Sequence, residues 1–216
     1  ADLQHQRIAG RHNVVAGLTY RRNGYEFATS PTITISDRQP DDYLVSGFLQ
    51  DEITLVPDQL RLVLGTKLEQ NTLSDSGLDA MPTARILWQV TPTTNAWAAA
   101  TRAVRTPSWA DLSASVLDVA PVIPAGVGGN PFPVLLRTST RGNPEFESEV
   151  LRAYEIGIRG SITPRVAYDL ALFNMEYSGL RAAVPAGVFC SPSGQDLTQN
   201  PACLFGATNV LATFSF

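Results

Sequence analysis

"TNAWAAATRAVRTPSWADL", Thr94 to Leu112, carries two periods at once. Alanine is the best helix former, and Trp97, Ala100 and Val104 recur at helical spacing, so propensity alone points to an amphipathic helix. The same letters also alternate. Trp97, Ala99, Thr101 and Ala103 fall on one face of a strand, with Ala98, Ala100, Arg102 and Val104 on the other. Context decides between them: "TPTTN", Thr91–Asn95, is a turn signal, and the run before it alternates too. The stretch therefore reads as the second arm of a hairpin that exits at Pro107 into a loop.

Working outward, similar short signals stand at "GRH" (Gly10–His12), "VPDQ" (Val56–Gln59) and "TPR" (Thr163–Arg165), each between two alternating runs. Between these hairpins lie long polar connections, about Asn23 to Pro40, Leu73 to Ala80, Thr106 to Pro144 and Ala183 to Ala207. Short and long connections in turn predict an antiparallel up-and-down meander of about nine strands, tight turns at one end and long loops at the other. The runs, such as "DDYLVSGFLQDEITLV" and "VAYDLALFNMEYSGLRA", exceed the usual strand of about 5–6 residues. They match instead the length of about 9–11 residues or more that a tilted strand needs to cross a bilayer.

Alternation assigns the faces. Leu60, Leu62, Leu64 and Leu68 oppose Arg61, Val63, Lys67 and Glu69; Ala84, Ile86, Trp88 and Val90 oppose Thr83, Arg85, Leu87 and Gln89. A soluble sandwich alternates as well. The polar face mixes Arg, Lys, Glu and Asp with Gly and Ala, as a wide, wet lumen would, so the apolar face is assigned to lipid. Counted outward from "TPTT", Trp88 and Trp97 pair on the apolar face near the turn, as an interfacial aromatic girdle, and Arg102 then points inward. Around "TPR" the count sets Arg159 opposite Asp169 on the lumen face, predicting an ion pair there. Asp51, on the more apolar face of its run, breaks the pattern.

The bulk numbers agree. Of 216 residues, 44% are hydrophobic and 17% charged, which excludes a disordered tail, and a net charge of -4 without a basic stripe argues against nucleic-acid binding. No run of about 18 apolar residues supplies a transmembrane helix. No export signal is visible in "ADLQHQRIAG". Cys190 and Cys203 flank a polar loop; a bridge would contribute roughly 3 kcal/mol and imply an oxidising compartment, two isolated thiols are the plainer alternative, and a metal site is the weakest.

Catalytic chemistry is not legible. His5 and His12 read as solvated surface side chains. Neither G-x-S-x-G, H-E-x-x-H, a P-loop nor C-x-x-C occurs, and Glu145 with Glu147 lacks a supporting pocket signal. An enzyme is not expected, and no cofactor or metal is called for.

Three blocks in order then carry a resemblance: "SGFLQDEITLVPDQLRLVLGTKLEQN", "PTARILWQVTPTTNAWAAATRAVRTPS" and "NPEFESEVLRAYEIGIRGSITPRVAYDLALFNMEYSGLRA". Together they resemble the β-barrel of TonB-dependent outer-membrane receptors, importers of siderophore-bound iron, cobalamin and other scarce nutrients. That resemblance implies a bacterial outer-membrane location and three partners: membrane lipid, a small siderophore-like nutrient, and TonB through a plug region. Neither plug nor TonB box is recognisable, and such barrels have roughly 22 strands. The expectation is therefore that residues 1–216 form a partial barrel, with "NVLATFSF" a further wall strand. Loops on a rigid scaffold carry binding, so Arg102, Arg105 and Trp109 are the candidate ligand contacts, with pairing to lumen carboxylates the stronger reading for the two arginines. A secreted β-sandwich or adhesin module and a passive porin-type barrel are the alternatives.

Overall fold

A computed structural model describes residues 1–28, 30–36, 41–73, 77–126, 131–191, 193–200, 203 and 209–215. In chain order its elements are β1 (Asp2–Ala9), β2 (His12–Gly24), β3 (Ile33–Ile35), β4 (Asp41–Val56), β5 (Leu60–Asn71), β6 (Leu78–Thr91), β7 (Thr94–Arg105), α1 (Trp109–Ser113), β8 (Ala114–Ile123), β9 (Val134–Arg141), β10 (Glu149–Thr163), β11 (Val166–Ser178), β12 (Val184–Ser191) and β13 (Asn209–Ser215). They form two compact units. The first comprises Ala1–Asn23, Asp41–Thr106 and Glu147–Leu180; the second comprises Gly24–Pro40, Pro107–Phe146 and Arg181–Phe216.

Unit 1 is an eight-stranded sheet in the order β1-β2-β4-β5-β6-β7-β10-β11. The hairpins β1–β2, β4–β5, β6–β7 and β10–β11 turn at Gly10–Arg11, Pro57–Gln59, Pro92–Thr93 and Pro164–Arg165, as the turn signals predict. Gly10 and Asp58 have positive φ, which a tight hairpin turn requires and which Gly and Asp tolerate best. Helix propensity in the alanine-rich stretch loses to the ladders on its two sides, since β7 pairs with both β6 and β10.

The three proline turns share a device that plain counting misses. The register shifts between Thr54 and Val56, between Gln89 and Thr91, and between Ser161 and Thr163. The extra residues, Leu55, Val90 and Ile162, each stand two positions before the turn proline. A bulge adds one residue to one strand, and a one-residue slip moves every later side chain to the other face. Thus Thr91 faces Thr94 across the turn, but beyond Val90 the pairs are Trp88 with Ala96 and Leu87 with Trp97.

This corrects the faces of β7. Trp88 and Trp97 lie on opposite faces of the sheet rather than pairing across it. Trp97 joins the polar face, where Gly157 stands opposite it, and a Cβ at Gly157 would sit 2.5 Å from the indole. Arg102 consequently shares the apolar face with Ala96, Ala98 and Ala100 instead of pointing into the lumen.

The apolar face is uncovered. Leu170, Leu172 and Ile156 are each more than half exposed, and among the described residues Ala153 is the one buried apolar side chain of unit 1. Asp51 does sit on this face, opposite Leu64, where His12 Nδ1 lies 2.6 Å from its Oδ2. His12 is thus a solvent-exposed side chain, as expected, that also faces a carboxylate.

Unit 2 arises from stretches read as long loops. Its five-stranded sheet runs β12-β13-β9-β8-β3, so thirteen strands lie among the described residues, eight of them in the long-stranded antiparallel sheet of unit 1. "NVLATFS" is a strand, but it pairs in parallel with β9 and antiparallel with β12 instead of extending the wall. Val134, Val210, Cys190 and Cys203 form the buried apolar centre of this unit.

Candidate ligand-facing surfaces

On the polar face of unit 1, register places opposite charges within reach across neighbouring strands. Arg61 meets Glu52 at 3.1 Å, Arg105 meets Glu149 at 3.0 Å, and Lys67 pairs with Glu69 on its own strand at 2.5 Å. Thr83 and Thr101 lie opposite each other with hydroxyls 3.2 Å apart. At the turn end this face opens a hollow of about 560 Å³ whose rim includes Arg61, Gln89, Asn95, Trp97 and Arg159. Glu52 and Asp58 line it as well, so donors and acceptors are mixed and the hollow suits water.

Arg159 stands directly opposite Asp169, as counted. Among the described residues no ion pair joins them. Both are exposed, and solvent competes well with a pair whose contribution is about 0–1 kcal/mol.

The proposed ligand contacts separate. Arg102 donates to the carbonyl of Ala80 and lies 4.0 Å from Asp79. It reaches them because β6 and β7 stop pairing above Thr83 and Thr101. Arg105 is held by Glu149. Both arginines therefore have a carboxylate within 4.0 Å, Arg105 on the polar face and Arg102 from the apolar one. Trp109 belongs to unit 2, on α1, with its Nε1 buried and without a hydrogen-bond partner among the described residues.

Sequence reasoning missed what organises that helix. Ser108 caps it in a capping box: the Ser108 hydroxyl accepts from the Asp111 N–H, and Asp111 Oδ2 accepts from the Ser108 N–H at 2.9 Å. The signature "SWAD" was available but was absorbed into a strand exit. Arg181, where the chain enters unit 2 after β11, forms an ion pair with the fully buried Asp111. Burial pushes the Asp111 carboxyl up, but hydrogen bonds from Ser108 and the charge and hydrogen bond of Arg181 outweigh it, leaving the pKa below the ordinary carboxylate value.

Cys190 and Cys203 form a disulfide, with Cα atoms 6.0 Å apart. It closes a finger in which Cys190 N–H donates to Gln195 O at 2.9 Å and Gly194 takes a positive φ of 69°. Asp196 accepts from the Thr198 hydroxyl at 2.7 Å and its backbone N–H at 2.8 Å, which hold its carboxyl below the ordinary range. Among the described residues, no group of three or more His, Cys, Asp or Glu is placed to hold a metal.

Solved structures share this fold. A mutant ferric enterobactin receptor, PfeA, from Pseudomonas aeruginosa in complex with enterobactin is similar at 16% identity and TM-score 0.66, over 100% of this chain and 30% of that one. The siderophore receptor PirA from Acinetobacter baumannii is similar at 13% identity and TM-score 0.62, over 99% and 31%. PirA from Pseudomonas aeruginosa gives 15% and 0.61, over 94% and 33%. The chain thus spans about a third of the length of these receptors. No curated protein matches the sequence. The family described as TonB dependent receptor-like, beta-barrel, matches residues 1–212. The chain belongs to the TonB-dependent receptors, within their β-barrel domain.

Proposed function

We propose that this chain is part of the wall and outer loops of a bacterial outer-membrane importer that takes up a scarce nutrient of the iron–siderophore or cobalamin class, with TonB as its energising partner. The reading rests on family membership, whose members are outer-membrane transporters rather than enzymes, and on one observation: an eight-stranded sheet with one mixed face that carries ion pairs and one largely apolar face left uncovered. In water that apolar face would be an aggregation surface; in a bilayer it is solvated by lipid. Solved relatives are siderophore receptors, one crystallised with enterobactin, which favours a small anionic iron chelate as cargo.

In this reading unit 1 separates membrane from lumen, and the disulfide finger and the Ser108–Asp111–Arg181 node of unit 2 hold the ligand-capturing loops in shape. The partial barrel of residues 1–216 would be completed by strands and a plug elsewhere in the receptor. The test is uptake of ⁵⁵Fe-labelled catecholate siderophore by cells producing the whole receptor, in strains with and without TonB. Uptake that requires TonB is expected. Uptake indifferent to TonB would favour a passive porin, and a water-soluble monomer needing no detergent would favour an adhesin-like module.

A further inference from the structure

We propose that the apolar face of unit 1 carries a groove for one phosphate-bearing lipid, its acyl chain along β7 and its phosphate at Arg152 and Arg102. This rests on the reading of unit 1 as a membrane wall. Two adjoining hollows, of about 590 and 560 Å³, share Ala84, Ala100 and Tyr154 and so form one continuous trough. Its floor is low where β7 presents Ala98 and Ala100. Leu62, Leu64 and Ile86 raise one bank; Tyr154 and Ile156 raise the other. A methylene chain fits such a floor without displacing a side chain.

The loop end of the trough has the opposite chemistry. Arg102 and Arg152 stand directly opposite each other on neighbouring strands, and both line the hollow. Like charges in that position repel. Arg102 is partly relieved by the Ala80 carbonyl and by Asp79, on the strand to one side. Glu176 stands opposite Arg152 on the other side, yet no ion pair joins those two among the described residues. A shared anion resolves the repulsion, and guanidinium groups bind phosphate in a forked geometry that a lysine could not supply. Free phosphate would satisfy the arginines but leave the trough empty. A lipid satisfies both ends of one feature, which is why it is the assigned occupant.

The experiment uses the whole receptor, purified in detergent, stripped of lipid and titrated in native mass spectrometry with phosphatidylglycerol, diacylglycerol and inorganic phosphate. One phosphatidylglycerol is expected to be retained over diacylglycerol, with no matching phosphate adduct. Arg152→Gln and Ala98→Leu, the second filling the floor without touching charge, should each cut retention by about tenfold or more. Phosphatidylglycerol retained equally by wild type and both variants would overturn the groove. Phosphate bound as well as lipid, or a dimer retained in place of lipid, would also overturn it. TonB-independent uptake alongside normal lipid retention would remove the importer reading but leave the groove standing.

Discussion

The two units are both built from strands but for different purposes, and the contrast lies in what each side chain must satisfy. In unit 1 strands of up to sixteen residues alternate along most of their length, with exceptions such as Asp51 and Arg102 on the apolar face and Trp97 on the polar one. Unit 2 builds shorter strands around Val134, Val210 and a disulfide, and mixes a parallel pair with antiparallel ones. A wall is fixed by register; a cap of loops is fixed by a few buried anchors.

Register can be broken at one residue. Deleting Asn95, which pairs with Gln89 just beyond the bulge, slips β7 by one residue against β6 and turns it over, placing Trp97 on the apolar face and Arg102 on the polar one. The expected outcome is failure of the whole receptor to assemble, read as loss of its heat-resistant band on a cold gel. Normal assembly would show that the wall tolerates either face of β7 toward lipid.

Anchors should fail more locally. Replacing Cys190 and Cys203 by serine should cost unit 2 about 3 kcal/mol. Limited proteolysis should then cut the finger while the wall remains protected. Next comes a pair of glycines. A Cβ at Gly142 would meet the backbone of Asp111, Leu112 and Ser113 at 2.7–2.8 Å, whereas one at Gly157 meets only the Trp97 ring. Gly142→Ala should therefore destabilise by about 1–3 kcal/mol and Gly157→Ala by less, in denaturant titrations of the whole receptor.

The node at Asp111 adds a pH dependence. Its folded pKa is lowered, so its contribution is complete above the ordinary carboxylate value of about 3.9 and is lost as pH falls through the folded value. Proteolysis of unit 2 should rise with acid below about pH 4 in the wild type, and Asp111→Asn should flatten that acid-dependent rise. An unchanged slope would remove Asp111 from the account. The smallest effect is expected for Asp169→Asn, within about 0.5 kcal/mol, since no ion pair holds Arg159 to it.

These regions were unequally legible. Turn signals and period-2 runs placed the wall strands and their hairpins to within a few residues, and the count around "TPR" even set Arg159 against Asp169. The count around "TPTT" failed by one because a bulge leaves no compositional mark: Val90 is an ordinary strand residue. Unit 2 was read as loops because "SASVLDVAPVI" and "PVLLRTST" are short, interrupted by proline and far from their partners in sequence. The pairing of Asp111 with Arg181 spans seventy residues, a distance over which spacing carries no signal.

The claim that one face of this sheet meets lipid and the other water is most directly tested at two adjacent residues. Spin labels at Ala98 and Trp97, each introduced as cysteine in the whole receptor in native outer membranes, should report oxygen access at position 98 and access to a water-soluble nickel chelate at position 97. The reverse pattern would contradict the bulged register, and protection of both positions from either reagent would contradict the membrane wall itself.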